Sequence, residues 1–153
     1  MALALSEFAD RLSSIFPVMA REFARHYMGD FYAEKITLPQ FLVLEFLFLN
    51  RESKMKDLAL AMHVSTAAMT GIVDRIVRDS YVVRIFDPKD RRIIKIKLTS
   101  QGAELVKRIN AQRRKMAMSL FGKISEAERE NYLRIVTKIK DALLMDHAQK
   151  RKT

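Results

Sequence analysis

The hydrophobic pattern changes its period near residue 80, and that change restricts the possible folds more than any other feature. Before it, apolar residues recur at helical spacing: Met69, Ile72, Val73 and Ile76 stand at i, i+3, i+4 and i+7. After it, Val83 and Ile85 alternate with Val82, Arg84 and Phe86, and Ile94, Ile96 and Leu98 alternate with Lys95 and Lys97. Between these two runs lies the polar stretch Asp87-Pro88-Lys89-Asp90-Arg91-Arg92, so they predict an antiparallel hairpin with a charged tip.

Everything around the hairpin reads as helix. Leu5, Phe8, Leu12, Ile15, Phe16, Met19, Phe23 and Tyr27 form one stripe, predicting a helix over about 3–29. Pro17 is expected to kink or break it, and Gly29 and Asp30 to end it. Thr37 is placed to cap a helix over 38–50, with Pro39 in its first turn, where a missing N–H costs nothing. That helix is apolar nearly all round and belongs in the centre of a core or in a subunit interface.

Lys54 to Met62 predicts a short helix burying Met55, Leu58, Ala59 and Met62. His63 and Val64 form a turn, and Ser65 or Thr66 caps the next helix, which runs to about Asp79. Thr99 caps a long helix from Ser100 to about Phe121, and Ser125 with Glu128 forms a capping box for a last helix ending near Asp146. With only 3 prolines and 4 glycines to punctuate it, the chain favours such long helices. Neither a linker nor a repeat is evident. The expected fold is mainly α with a small β-hairpin: one domain over 1–153, with a compact lobe at about 36–98 and long helices at about 3–29 and 100–146.

Charge narrows the function. The net charge is +10, but Lys and Arg number 4 against 6 Asp and Glu in residues 1–50, 11 against 6 in 51–100, and 13 against 6 in 101–153. The excess positive charge is therefore confined to the last two thirds, where a polyanion is the natural partner. The absence of cysteine excludes disulfides and thiolate metal sites. His26, His63 and His147 lack metal-ligand spacing, and no phosphate loop, nucleophile elbow or carboxylate pair is visible. No catalytic residue, metal or cofactor is expected. The apolar N-terminus lacks the basic residues of a leader, and the longest apolar run is far too short for a bilayer, so a cytoplasmic protein with no membrane role is expected.

Two short helices, a tight turn and a charged hairpin form a winged helix-turn-helix. The second helix is narrow enough for a DNA major groove, and its capped N-terminus presents N–H groups to phosphates. Its face opposite the buried stripe carries Ala67, Thr70, Gly71, Asp74 and Arg78, and Ser65 and Thr66 stand at its start. That surface is small and hydroxylated in its first two turns, as close approach to a duplex requires. Gly71 either permits that approach or relieves crowding against a neighbouring helix. Thr66, Ala67 and Thr70 are the expected base-edge contacts, and Lys54, Lys56 and Arg75 the expected phosphate contacts. Ser65, Gly71 and Lys89 complete the surface with Arg91 and Arg92.

Several segments resemble the MarR family of bacterial transcription regulators. They are Ile36-Thr37-Leu38-Pro39-Gln40-Phe41, Asp57-Leu58-Ala59, Val64-Ser65, Val73-Asp74-Arg75, and the wing Asp87-Pro88-Lys89-Asp90-Arg91-Arg92 followed by Leu98-Thr99-Ser100-Gln101-Gly102. The resemblance implies a homodimer knitted by the N- and C-terminal helices and bound to double-stranded DNA carrying an inverted repeat. It implies further that Arg91 or Arg92 enters the minor groove and that Asp74 pairs with Arg92 to brace the wing. A small aromatic or lipophilic effector would sit near Phe23, His26, Tyr27 and Phe41, and the regulator would be a repressor. Two positions depart from the family pattern: Ser80 stands where glycine is usual, and Gly71 where a larger residue is common. The alternative reading is a winged-helix protein-interaction module, which would need an apolar wing and recognition face.

Overall fold

The structure is a computed structural model that describes the backbone of residues 3–33 and 35–150 and the side chains of 3–25 and 35–145. Six helices and three short strands follow in the order α1 (Leu5–Ala33), α2 (Leu38–Asn50), β1 (Glu52–Lys54), α3 (Met55–Ala61), α4 (Thr66–Arg78), β2 (Val82–Phe86), β3 (Ile94–Leu98), α5 (Ser100–Phe121) and α6 (Glu126–Lys150). The fold is mainly α with a winged helix-turn-helix. Two compact units divide the chain, Met1–Gln112 and Arg113–Thr153.

In the first unit, α2 supplies the centre. Thr37 and Gln40 close a capping box: the Thr37 N–H donates to Gln40 Oε1 at 2.8 Å, and the Gln40 N–H to Thr37 Oγ1 at 3.4 Å. The box satisfies the buried amide of Gln40 and starts the helix so that Phe41, Val43, Leu44 and Leu47 enter the core. Around them pack Leu58 and Ala59 of α3, Met69, Val73 and Ile76 of α4, Val82 and Ile96 of the sheet, and Leu105, Val106 and Ile109 of α5. The expected stripes of α3 and α4 are thus the buried ones, with Met55, Met62 and Ile72 partly buried beside them.

The expected hairpin is present, with Val82 opposite Leu98 and Phe86 opposite Ile94. The structure adds a third strand, β1, paired antiparallel with β3 so that the sheet order is β1-β3-β2. Its residues, Glu52-Ser53-Lys54, are polar and too few to show an alternation, which is why the periodicity does not reveal them. A second difference lies in α1, where Pro17 sits inside a single helix that runs past Gly29 and Asp30 to Ala33. The carbonyl that loses its N–H partner belongs to Ser13, on an exposed stretch of the helix.

Both helices of the motif end in the same way. His63 N–H donates to Leu60 O and Val64 N–H to Ala59 O; Ser80 N–H donates to Val77 O and Tyr81 N–H to Ile76 O. These are Schellman closures, which need a left-handed residue just past the cap. His63 at φ 55° and Ser80 at φ 63° fill that place. The departure from glycine at Ser80 therefore keeps the backbone geometry at a steric cost.

The Arg113–Thr153 unit contains the end of α5 and all of α6. Ser125 and Glu128 form the expected capping box, with the Ser125 N–H donating to Glu128 Oε2 at 2.8 Å and the Glu128 N–H to Ser125 Oγ at 3.3 Å. Bonds from the Ser125 hydroxyl and N–H hold the Glu128 carboxyl below its usual range. Phe121 and Tyr132 meet with ring centroids 5.1 Å apart, and the Arg129 guanidinium donates to the carbonyls of Phe121 and Ile124. That guanidinium caps the C-terminal end of α5 and fixes the turn into α6.

The junction between α4, β3 and α5 is the tightest point. A Cβ on Gly102 would lie 2.1 Å from the Tyr81 carbonyl oxygen and 2.9 Å from Leu98 Cδ2. We expect Gly102→Ala to lower stability by about 1–3 kcal/mol in denaturant unfolding, since a backbone carbonyl cannot yield as a side chain does. Ser80→Gly, by contrast, should leave stability unchanged or raise it by up to about 1 kcal/mol, while Ser80→Val should lower it.

Candidate nucleic-acid interface

The helix-turn-helix sets α4 with its first two turns facing outward. Ser65 is the N-cap, its hydroxyl accepting the Ala68 N–H at 3.1 Å. Thr70 donates its hydroxyl to Thr66 O at 2.9 Å, leaving its methyl group and oxygen lone pairs outward. Ser65, Thr66, Ala67, Thr70, Gly71, Asp74 and Arg75 are all exposed. Nothing lies within 4 Å of where a Gly71 Cβ would stand. The crowding explanation for Gly71 therefore falls: no neighbouring helix needs the space.

Lys54 is the N-terminal flank of α3 and Lys56 lies in its first turn, both exposed. Lys89, Arg91 and Arg92 are exposed in the loop between β2 and β3. That loop is closed from within. Asp87 Oδ1 accepts the Lys89 N–H at 2.9 Å and the Asp90 N–H at 3.4 Å, and Asp90 Oδ1 accepts the Arg92 N–H at 3.0 Å. Asp87 N–H to Ile93 O and Ile93 N–H to Asp90 O, both 2.9 Å, complete it. The two loop carboxylates thus serve the turn itself. Among the described residues, the guanidinium groups of Arg91 and Arg92 form no ion pair.

The stem of the wing rests on Lys95, whose side chain is only 23% exposed. Its ammonium reaches Glu52 Oε1 at 2.7 Å and Asp87 Oδ2 at 2.9 Å, tying β1, β3 and the loop together. The bonds to Glu52 and then Asp87 push Lys95 up to about 12, and the bond from Lys95, followed by the Lys89 N–H, holds Asp87 below its ordinary range. Neither Lys95 nor Glu52 stands out in the sequence as a functional residue. A lysine on the strand opposite Ile85 is the one sign that it belongs to the sheet's interior network.

The expected brace needs correction. Asp74 does pair with an arginine, but with Arg84 on β2 rather than Arg92 in the loop. Arg84 lies on the same strand face as buried Val82, and so points toward α4. Arg92 lies in the loop two residues before β3, and its backbone N–H donates to Asp90 Oδ1.

Two of the four expected effector residues, Phe23 and Phe41, have described side chains. Phe41 is fully buried in the core and Phe23 is half-buried on α1, while the side chains of His26 and Tyr27 lie outside the described residues. A cleft of about 490 Å³ lies at the C-terminal end of α2, lined by residues including Leu47, Phe48, Arg51, Lys97 and Leu98. No group of metal-ligating side chains occurs among the described residues, and no helix there is long and apolar enough to cross a membrane.

An exposed capped helix, its partner helix and a basic three-stranded wing together define a winged helix-turn-helix protein. This lobe is similar to known proteins. Residues 36–94 match the model of the MarR family. YsmB of Bacillus subtilis (strain 168), described as an uncharacterized HTH-type transcriptional regulator, is 26% identical over 117 residues, 76% of this chain and 76% of that protein. A MarR family protein from Bacillus stearothermophilus superposes with a TM-score of 0.82 at 19% identity, covering 92% of this chain and 99% of that one. The S. aureus MepR–DNA complex superposes at 0.72 with 23% identity, covering 86% of this chain and 98% of that one. The curated relatives it resembles are described as HTH-type transcriptional regulators.

The Lys95 network has a defined pH range. Asp87 is depressed, so its contribution is complete above its ordinary 3.8 and fades as pH falls through the lowered value. Lys95 is raised, so its contribution is complete below 10.5 and fades as pH climbs through about 12. Protection of the β1 and β3 amides, measured relative to the intrinsic exchange rate at each pH, should stay constant between those limits. Lys95→Gln should lower it at neutral pH, because two carboxylates then face each other without a cation. Unchanged exchange in that variant would remove the network's role.

Proposed function

We propose that this protein is a dimeric, sequence-specific transcription regulator that binds double-stranded DNA, a repressor modulated by a small aromatic or lipophilic ligand. The observation that carries the reading is the outward face of α4. Its small and hydroxylated residues, with Gly71 among them, serve no packing purpose inside the protein. A surface so shaped at a helix N-terminus, flanked by Lys54, Lys56, Lys89, Arg91 and Arg92, suits a major groove with its phosphates on either side. Thr66, Ala67 and Thr70 are assigned to base edges, and Ser65, Gly71 and Arg75 to the surrounding backbone. The MepR–DNA complex among its structural relatives supports the same partner.

Dimerisation is supported by apolar surface that the chain leaves uncovered. On α1, Leu5, Phe8, Leu12, Ile15 and Phe16 are exposed; on α6, Tyr132, Ile135, Val136, Ile139 and Leu143 are exposed. Patches of this kind mark protein interfaces, and a two-fold axis would bury each against a second copy. The whole chain then works as one regulatory domain in the cytoplasm. A protein-docking module is the rival, favoured by Phe86, 64% exposed on the wing stem opposite exposed Ile94.

Two measurements decide. Sedimentation at micromolar concentration should give about twice 17.8 kDa, and a clean monomer would refute the dimer. Selection from random duplexes should return an inverted repeat with half-sites about 10 base pairs apart. Recovery of single-stranded or asymmetric sequences alone would reject this geometry, and recovery of nothing would favour the docking module.

A further inference from the structure

Arg84 stands at the one point where a side-chain charge on the wing meets a side-chain charge on α4. In β2 it shares a face with buried Val82, and its guanidinium donates to the Asp74 carboxylate. Both groups are partly exposed, at 37% and 56%, so the pair adds little to stability. Its effect is on position. It joins a residue on the outward face of α4 to the middle of the strand that carries the wing. Arg84 lies opposite Ile96 in the register. Arg92 comes four residues before Ile96, about 13 Å farther out at the usual strand rise, so reaching Asp74 would require the loop to bend back.

The loop's own bonds argue in the same direction. Asp87 is taken by Lys95 and by the N–H groups of Lys89 and Asp90, and Asp90 by the Arg92 N–H. With Asp74 committed to Arg84, none of these carboxylates holds a wing-tip guanidinium. We infer that Arg84 is the positioning residue of the wing, holding the hairpin against α4 through Asp74, and that Arg92 is thereby released to contact DNA together with Arg91. The inference rests on the DNA-binding reading for Arg92, whereas the brace itself belongs to the free protein.

The experiment has one arm without DNA. Hydrogen exchange of the β2 and β3 amides in the free protein should quicken in Arg84→Ala and Asp74→Ala and stay as in wild type in Arg92→Ala. Arg84→Lys should recover part of the protection. The other arm measures affinity for an A·T-rich duplex of about three helical turns against salt. Arg84→Ala and Asp74→Ala should each weaken binding several-fold with the salt slope unchanged, and the double variant should be no worse than either single. Arg92→Ala should weaken binding about tenfold, lower the slope by about one, and add fully to Asp74→Ala.

A lowered slope in Arg84→Ala would make Arg84 a phosphate contact and overturn the brace. Non-additivity between Arg92→Ala and Asp74→Ala would return the brace to Arg92. Unaltered exchange in both Arg84→Ala and Asp74→Ala would overturn it without reference to DNA. If the wild-type protein bound no duplex while the exchange pattern held, the DNA-binding reading and the assignment of Arg92 would fall, and the positioning role of Arg84 would stand.

Discussion

The Tyr81 carbonyl is where three elements are joined. It accepts the Thr99 N–H at 3.0 Å and, at 3.1 Å, the Thr99 hydroxyl, which also reaches Ser80 O at 2.7 Å. Thr99 Oγ1 in turn accepts the Gly102 N–H at 3.0 Å, so one threonine closes the base of the hairpin and caps α5. The close passage of Tyr81 O over Gly102 is the geometric result. The exit of α4, the foot of β2 and the start of α5 share this one knot of hydrogen bonds, so the base of the wing is fixed where α4 ends.

A second fixing point lies farther out along the same hairpin. Lys95 binds one carboxylate on β1 and another at the start of the loop, while Asp74 and Arg84 connect β2 to α4. The wing is therefore held at its foot by main-chain bonds and along its stem by charges. Among the described residues, the arginines at its tip form no ion pair. Such a division lets a loop of six polar residues keep a defined direction while its arginines keep conformational freedom. Rigid supports with mobile ends are how charged side chains locate phosphates of slightly varying position.

Most of the helical architecture was legible because it rests on local signals. The Thr37 and Ser125 caps, the stripe of Met69, Val73 and Ile76, and the shift to period two at Val82 each announce themselves within a few residues. What escaped depends on partners distant in sequence. β1 exists only because Ser53 finds Ile96, 43 positions on, and its three polar residues carry no periodic mark. Arg84 becomes a brace only when β2 is laid against α4, and a family pattern assigned its role to Arg92. The run of α1 through Pro17 and Gly29 likewise shows local breakers overruled, as happens when a helix is otherwise well formed on both sides. The exposed face of α4 was read residue by residue from the inverse of the buried stripe, because a helix that buries one face must present the other.

The empty space around Gly71 has an evolutionary meaning. On α4, the residues that hold the fold together and those that face outward occupy opposite sides, and at Gly71 nothing in the protein resists a larger side chain. Substitution there is released from the usual conflict between acquiring a new specificity and keeping the native state. On the DNA-binding reading proposed above, a duplicated copy of the gene can diverge in the sequences it reads by trial at this one site, with the scaffold untouched, which is a short route by which one regulator becomes several.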